Sequence, residues 1–288
     1  MIADFVGSWA LFHNTYLVGW LISLLLALIG VLVVARDQIF IGAAVSQAST
    51  LGIAMALGIG AWASLETAPW LQSDAFLSAM AVACSVIAAL LTARSGDIGQ
   101  ESHEAITGWV FLVSASLSVL IVAHSPHGLD EIHRLLSSSI IGATRSDVWI
   151  FASLLVCTSL GIGLYHRSIM LFIMDPAMAA AVGVKVVWVS ILLSAWLGLA
   201  VGLSIRVAGM LYTFGCLVLP ALAAKNLCRK VRPMFVVAPL VAVATATVGF
   251  ALANRYDDPP AQMTVALLCL CVAVAWVVRR LRRNRDAA

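Results

Sequence analysis

The chain has 288 residues, of which 62% are apolar and only 11% are charged. Soluble domains are about 45–50% apolar and about 25% charged, so the composition excludes a soluble fold, a disordered chain and a disulfide framework. The net charge of +3 is too small to indicate a nucleic-acid partner. The composition therefore predicts a protein embedded in a lipid bilayer.

Continuous apolar runs along the chain have about the 20 residues that a helix needs to cross the hydrocarbon layer. The runs lack the alternation of a membrane β-barrel, and in lipid a helix satisfies its own backbone. We predict an all-α, polytopic membrane protein, with residues 1–288 forming a single transmembrane domain of about nine helices. The count of eight to ten stays open because 135–143 also fits a short re-entrant or interfacial helix. The predicted spans are 14–35, 39–60, 74–93, 107–123, 147–167, 185–203, 207–224, 234–253 and 262–279.

The distribution of Lys and Arg predicts the orientation. If the first helix runs from outside to inside, 13 of the 17 basic residues lie on the inner side, which is the positive-inside bias. We therefore expect a multi-pass protein of the inner (plasma) membrane, with its N-terminus outside and its C-terminus in the cytoplasm. No cleavable signal peptide is expected, because residues 1–16 lack a basic start and contain Asp4 and His13.

The sequence offers no energy source of its own. All 14 acidic residues lie in loops or at span edges, whereas a proton or ion relay needs ionisable groups inside the bilayer. No nucleotide-binding loop and no hydrolase motif occurs, and no span holds a paired acid or a nucleophile pair. We therefore predict that the chain is not an enzyme and that a separate subunit drives it. The six cysteines are interpreted as packing residues, with a soft-metal site of Cys216 and Cys269 as the alternative.

Three stretches carry a family resemblance. Residues 40–49 read FIGAAVSQAS, residues 175–184 read DPAMAAAVGV, and residues 207–224 read VAGMLYTFGCLVLPALAA. In order and spacing they resemble three motifs of the permease subunits of ATP-binding-cassette importers for zinc, manganese and iron. Those motifs are G-D-A-x-S-H, D-P-x-x-A-x-x-x-G followed by an apolar residue, and V-G-x-L-L-V-x-A-L-L-V-L-P-A-x-x-A. The resemblance extends from about residue 14 to residue 280.

The resemblance implies a permease subunit that forms a translocation path, usually with a second copy of itself. It also implies a separate ATPase that uses ATP, an extracytoplasmic substrate-binding protein, and Zn²⁺, Mn²⁺ or Fe²⁺ as cargo, with no cofactor bound by this chain. Two alternatives stay open. The same fold could carry a metal chelate or another solute, or the chain could be a non-transporting scaffold or sensor subunit.

The stretch beginning at Asp175 predicts a short helix. Asp175 suits the N-cap, Pro176 the first helical position, and Gly183 the C-terminal stop. The resemblance implies that this is the coupling helix that docks on the ATPase, where Ala179 and Ala180 would permit close approach. An ordinary interfacial helix is the alternative.

The first stretch departs from the family motif at two positions. Ala43 and Gln47 are four residues apart and share one helix face; the family has aspartate and histidine there, a pair suited to Zn²⁺ or Mn²⁺. Alanine has no donor atom and a glutamine amide is a weak ligand, so the sequence does not predict a tight metal gate. We expect Ala43, Ser46, Gln47 and Thr50 to line the substrate path as a polar strip. Hydrogen bonding between helices is the alternative.

Glycine and proline residues mark the third stretch. Gly209, Gly215 and Pro220 are predicted to serve helix packing or pore lining, because proline bends a helix and glycine permits close contact. Gly198 and Gly202 in the preceding span form a G-x-x-x-G pair, which we interpret as packing.

An outer loop contains a possible metal site. His124, His127 and His133 occur with Asp130 and Glu131 within ten residues, and imidazoles with carboxylates are reasonable Zn²⁺ ligands. Their spacing is not that of a closed structural zinc site, so a solvated loop is the alternative.

Overall fold

The computed structural model describes residues 2–62, 73–94, 102–123 and 140–286, which form ten α-helices and one 3₁₀ turn, with no strand among them. Leu, Ala and Val predominate in these segments. In lipid such apolar segments form helices because a helix satisfies its backbone hydrogen bonds within itself. The helices are α1 (Ile2–Ala35), α2 (Ile39–Trp62), α3 (Asp74–Arg94), α4 (His103–Ala123), α5 (Arg145–Leu164), α6 (His166–Met174), α7 (Pro176–Ala181), α8 (Val186–Leu227), α9 (Val231–Tyr256) and α10 (Pro260–Asp286), with the 3₁₀ turn at Ile140–Gly142.

Within the described ranges, eight helices are long and apolar enough to cross a membrane. Helix α8 has 42 residues, which at 1.5 Å per residue is about 63 Å, twice the hydrocarbon thickness. Its geometry is non-helical at Gly209 (φ 79°, ψ 168°), so α8 holds both of the spans predicted at 185–203 and 207–224. The all-α, multi-span prediction is confirmed. Most of the uncertain segment 135–143 lies outside the described residues.

The helices form two compact units. The terminal unit contains α1, α5, the part of α8 from Leu211 onward, α9 and α10. The middle unit contains α2, α3, α4, α6, α7 and the part of α8 up to Met210. The assignment of residues 1–288 to one permease domain stays a prediction.

Close contacts at small residues hold the terminal unit together. Gly30 of α1 lies so close to the backbone carbonyl of Leu217 that a Cβ atom would clash with it. The fully buried Tyr212 donates a hydrogen bond from its hydroxyl to the Gly19 carbonyl over 2.9 Å. Its ring also stacks on Phe250 of α9, with ring centroids 6.5 Å apart. Glycine at such a contact lets two helix backbones approach closely, as is common between helices in a membrane.

The middle unit uses its glycines in the same way. A Cβ atom at Gly198 would lie 2.6 Å from the Val86 Cα atom, and one at Gly202 would lie 2.8 Å from the Val82 Cα atom. The Ser85 hydroxyl donates to the Gly198 carbonyl over 2.7 Å. The G-x-x-x-G pair therefore packs the first part of α8 against α3, as the sequence predicted.

Candidate functional site

The predicted polar strip lies on α2. Ala43 and Gln47 are half-buried, whereas Ser46 and Thr50 are buried. The Thr50 hydroxyl donates to the Ser46 carbonyl over 3.1 Å, a bond within one turn that a mid-helix threonine commonly makes. A different face of α2 carries Ala44 and packs against α3 and α4. The four residues thus share one helix and one broad face, and Thr50 is already satisfied by its own helix.

Gln47 has a partner that the sequence did not predict. Its amide Nε2 donates to the Met210 sulfur over 3.1 Å, and both side chains are half-buried. Met210 follows Gly209 directly, where α8 is non-helical with a positive φ. In the sequence, Gly209 is the only sign of a break here, because glycine readily adopts a positive φ. The contact between Gln47 and Met210 depends on tertiary structure.

Two buried hydroxyls on α2 lack a hydrogen-bond partner in the described part of the chain. Ser46 is 1% exposed and Ser49 is 0% exposed, and neither Oγ atom has a partner within the described part of the protein. Buried polar atoms are nearly always hydrogen-bonded, so an unsatisfied pair on one helix needs an explanation. Both hydroxyls therefore keep unused hydrogen-bonding capacity.

The N-terminus of α7 is built as predicted. Asp175 has extended backbone (φ −154°), and its carboxylate accepts from the Ala177 and Met178 amides over 2.9 and 3.0 Å. Pro176 occupies the first turn, where its missing N–H removes no intrahelical bond. The predicted N-cap is therefore confirmed.

The C-terminus of α7 is also built as predicted. The Gly183 amide donates to Ala180 and the Val184 amide donates to Ala179, each over 3.0 Å. This pair of bonds is the Schellman motif, and Gly183 supplies its positive φ of 91°. Ala179 is fully buried while Ala180 is exposed. Of the two alanines expected at a docking surface, Ala180 alone is open to a partner in this structure.

Exposed apolar residues surround that alanine. Met174 is 76% exposed, Met178 is 58% exposed and Val182 is 70% exposed. Met174 ends α6 just before the Asp175 cap, and Met178 and Val182 lie on the capped segment itself. Such a segment can be covered by another protein without changing its own backbone hydrogen bonds.

One end of the terminal unit collects polar and basic contacts. Lys225 at the end of α8 forms an ion pair with Asp37, which follows α1. The Arg279 guanidinium of α10 donates to the Asn226 side-chain oxygen over 3.0 Å. Burial lowers the pKa of Arg36 in the same loop from its ordinary value. The charge distribution predicts the ends of α1, α8 and α10 on one side of the membrane. In the structure these ends are in contact.

The structure shows the surroundings of the glycine and proline residues in the third stretch. A Cβ atom at Gly215 would lie 2.8 Å from the Val265 side chain of α10, which supports the packing role. Pro220 is buried inside α8, where it leaves the carbonyl of Cys216 without its usual helical donor. Gly209 forms the break in α8, and its role in packing or pore lining stays a prediction.

His124, His127 and His133, the histidines of the possible metal site, lie outside the described residues. Among residues 12–59, 73–93, 102–123, 140 and 142–282, whose side chains are described, no group of three or more His, Cys, Asp or Glu could hold a metal ion. Cys216 is buried and Cys269 is exposed, which does not favour the alternative of a shared soft-metal site.

Comparison with known proteins identifies the family. Residues 8–279 match the ABC 3 transport family. The chain belongs to this family. It is 25% identical over 257 residues to the manganese transport system membrane protein MntC of Halalkalibacterium halodurans, covering 89% of this chain and 83% of that protein. It is 24% identical over 261 residues to the chelated iron transport system membrane protein YfeD of Yersinia pestis, covering 90% and 82%.

The fold also matches a solved structure. A chain of PsaBC from Streptococcus pneumoniae, in complex with Fab, superposes with a TM-score of 0.77 and 17% identity over 97% of this chain and 95% of that chain. The resemblance seen in the three stretches is confirmed. This chain is a multi-pass membrane permease of the ATP-binding-cassette importer class, and it is not itself an enzyme. Membership implies a separate ATPase and a substrate-binding partner.

Proposed function

We propose that this chain forms the translocation path of an ATP-driven importer for zinc, manganese or iron. The observation that carries the proposal is the family match over residues 8–279, together with relatives named for manganese and iron transport. In this proposal two copies of the chain enclose the path, an ATPase binds from the cytoplasm, and a soluble protein delivers cargo outside. The chain binds no cofactor, and the metal is cargo.

The proposed orientation has the N-terminus outside and the C-terminus in the cytoplasm. Two observations support it. Most basic residues fall on one side of the predicted spans, and in the terminal unit Lys225, Asp37 and Arg279 lie at the same end of the helices. The positive-inside bias makes that end cytoplasmic.

The proposed path includes Ala43, Ser46, Gln47 and Thr50 on α2. Their support is the shared face, the half-burial of Gln47 and the unsatisfied Ser46 hydroxyl. A second candidate function is transport of a metal chelate or another small solute. It is favoured because Ala43 offers no donor atom, and because the Gln47 amide is neutral and engaged with Met210.

The proposed ATPase contact is the segment from Asp175 to Gly183. Its support is the capped helix and the exposure of Ala180, Met178 and Val182. A short helix fixed at both ends moves as one body, so a displacement imposed from the cytoplasm reaches α6 and α8 without fraying.

Uptake by the reconstituted importer tests the proposal. The permease, its ATPase and its binding protein are placed in proteoliposomes and given Zn²⁺, Mn²⁺ and Fe²⁺ in turn, free or as chelates. We expect ATP-dependent accumulation of at least one of these metals, and none when the ATPase is inactivated. ATP hydrolysis without uptake of any metal cargo would contradict metal import and favour the scaffold or sensor alternative.

A further inference from the structure

We propose that Arg232 and Arg280 form a surface that binds the phosphate of anionic phospholipids at the cytoplasmic end of the terminal unit. The acyl chains of the same lipids lie along the exposed apolar sides of α9 and α10. This inference uses the proposed orientation of the chain, but it depends neither on the cargo nor on import. It assigns a ligand to residues that the positive-inside bias only counts.

The arginines near the end of α10 fall into two groups. The Arg279 guanidinium donates to the Asn226 side-chain oxygen over 3.0 Å, and that of Arg282 donates to the Leu227 carbonyl over 3.5 Å. Both bond to the C-terminal end of α8, where cations are favoured. Arg280 is exposed and forms no hydrogen bond or ion pair with the described part of the chain. Its donors therefore remain for a ligand.

Arg280 lies on the side of α10 that faces away from the rest of the unit. Trp276 and Val277, about one turn before it, are 55% and 58% exposed, and Leu281 after it is 59% exposed. An exposed apolar side on a membrane-spanning helix is suited to contact lipid, and tryptophan is enriched at the level of the headgroups. Trp276 therefore indicates that Arg280 lies near the headgroups.

Arg232 repeats this arrangement in the first turn of α9. It is exposed and also forms no hydrogen bond or ion pair with the described residues. Val236 and Leu240 follow it at intervals of four residues and are 61% and 64% exposed, so the three side chains share one helix face. The apolar outer side of α9 therefore also ends in an arginine whose donors are unused by the described protein.

The two arginines lie at about the same depth. Helices α9 and α10 pack together in opposite directions, and a Cβ atom at Gly249 would lie 2.4 Å from the Thr264 hydroxyl oxygen. Arg232 lies 17 residues before Gly249, and Arg280 lies 16 residues after Thr264. Both separations are about 25 Å at 1.5 Å per residue. The spans predicted at 234–253 and 262–279 place both residues just outside the hydrocarbon layer.

Charge complementarity favours an anionic lipid. At this end of the terminal unit the one acidic residue with a described side chain is Asp37, and Lys225 already pairs with it. Arg232 and Arg280 therefore present positive charge that no described carboxylate offsets. The anionic cytoplasmic leaflet attracts such residues. An acidic protein surface could also meet the charge, but a lipid additionally covers the apolar residues that lie beside both arginines.

Equilibrium lipid binding to the detergent-purified, full-length permease tests the proposal. The probes are anionic phosphatidylglycerol and zwitterionic phosphatidylcholine with the same acyl chains and the same fluorophore. Arg232→Gln with Arg280→Gln removes both charges, and Arg232→Lys with Arg280→Lys keeps them. Arg255→Gln is the matched control, because Arg255 is an exposed arginine in the last turn of α9, at the opposite end of that helix.

We expect wild-type permease to bind phosphatidylglycerol more tightly than phosphatidylcholine. Each single glutamine variant should weaken phosphatidylglycerol binding by about fivefold, and the double variant by about twenty-fivefold, as the attraction of one basic residue to an anionic leaflet predicts. Phosphatidylcholine binding should not change, which also shows that the variants are folded. The double lysine variant and Arg255→Gln should bind phosphatidylglycerol as the wild type does.

Wild-type affinity for phosphatidylglycerol in the double glutamine variant would overturn the proposal. An equal loss in Arg255→Gln would also overturn it, by showing general charge attraction, as would displacement of the lipid by inorganic phosphate at equal concentration. Lost ATPase binding with unchanged lipid binding in the double glutamine variant would assign the surface to the ATPase instead. None of these results bears on metal import, because uptake into proteoliposomes measures that function separately.

Discussion

The α7 segment and the α2 strip differ in how completely their polar groups are satisfied. In α7 the Asp175 carboxylate and the amides of Gly183 and Val184 all bond within the same ten residues. On α2 the Ser46 and Ser49 hydroxyls have no partner among the described residues, and the Gln47 amide donates to a sulfur 163 residues away. A segment whose polar groups form hydrogen bonds within itself can transmit motion as one rigid body. A strip whose hydroxyls are unpaired has hydrogen-bonding capacity left for a solute.

The largest expected effect comes from giving the strip the ligands it lacks. In Ala43→Asp with Gln47→His, a carboxylate and an imidazole one turn apart supply two donors per chain. A two-fold dimer would then place four donors around one axis, enough for tetrahedral Zn²⁺. We expect Zn²⁺ affinity to rise by at least about a hundredfold, measured by calorimetry on the detergent-purified dimer.

Gln47→Ala is the control for that experiment. Because Gln47 is not a strong ligand in this proposal, its removal should cause only a modest loss of transport and no loss of metal retention. A tight stoichiometric Zn²⁺ or Mn²⁺ site in the unmodified dimer that disappears in Gln47→Ala would show that the strip already binds metal.

The second effect concerns the exposed side of α7. Ala180→Glu places a charged group on the segment that we propose docks on the ATPase. Insertion should be normal, while metal uptake per ATP hydrolysed should fall by about tenfold or more because a buried unpaired charge weakens an interface. Coupled transport at the wild-type level would contradict the assignment of this segment.

Ala179→Glu is the matched comparison, since the neighbouring side chain is fully buried. We expect that variant to lower stability and expression instead of acting on coupling alone. A cysteine introduced at position 180 of a cysteine-free variant should react with a membrane-impermeant reagent only from the cytoplasmic side. Labelling from outside would reverse the proposed orientation.

The same contrast shows what the sequence alone could predict. Spans and the α7 caps follow from local rules, since hydropathy, Asp175, Pro176 and Gly183 act within a few residues. The burial of Ala179 does not follow from local rules, because it depends on which side of a short helix meets the rest of the fold. The contact between Gln47 and Met210 requires two helices distant in sequence to pack together, which no motif in one stretch encodes.

Two glycine substitutions in the middle unit should separate the effect of backbone strain from that of a steric clash, with a smaller change than the variants above. Gly183 and Gly108 both have open space where a Cβ atom would lie, but only Gly183 has a positive φ, of 91°. We expect Gly183→Ala to lower the free energy of unfolding by about 1 kcal/mol. Gly108→Ala, inside α4, should raise it by up to about 1 kcal/mol. Thermal unfolding of the detergent-purified protein measures both, and equal shifts would argue against strain at Gly183.

The smallest expected effect is the loss of one cap. Asp175→Ala removes the carboxylate that accepts from the Ala177 and Met178 amides, and loss of an N-cap costs about 1 kcal/mol. Asp175→Asn keeps an acceptor oxygen, so it should retain most of that stability. Because α7 has only six residues, fraying at its N-terminus loosens the whole segment, so coupling should fall a few-fold in Asp175→Ala and much less in Asp175→Asn. Uptake per ATP hydrolysed, measured beside thermal unfolding, distinguishes the two variants. Equal coupling in wild type and Asp175→Ala would show that the capped end does not need to be rigid to transmit motion.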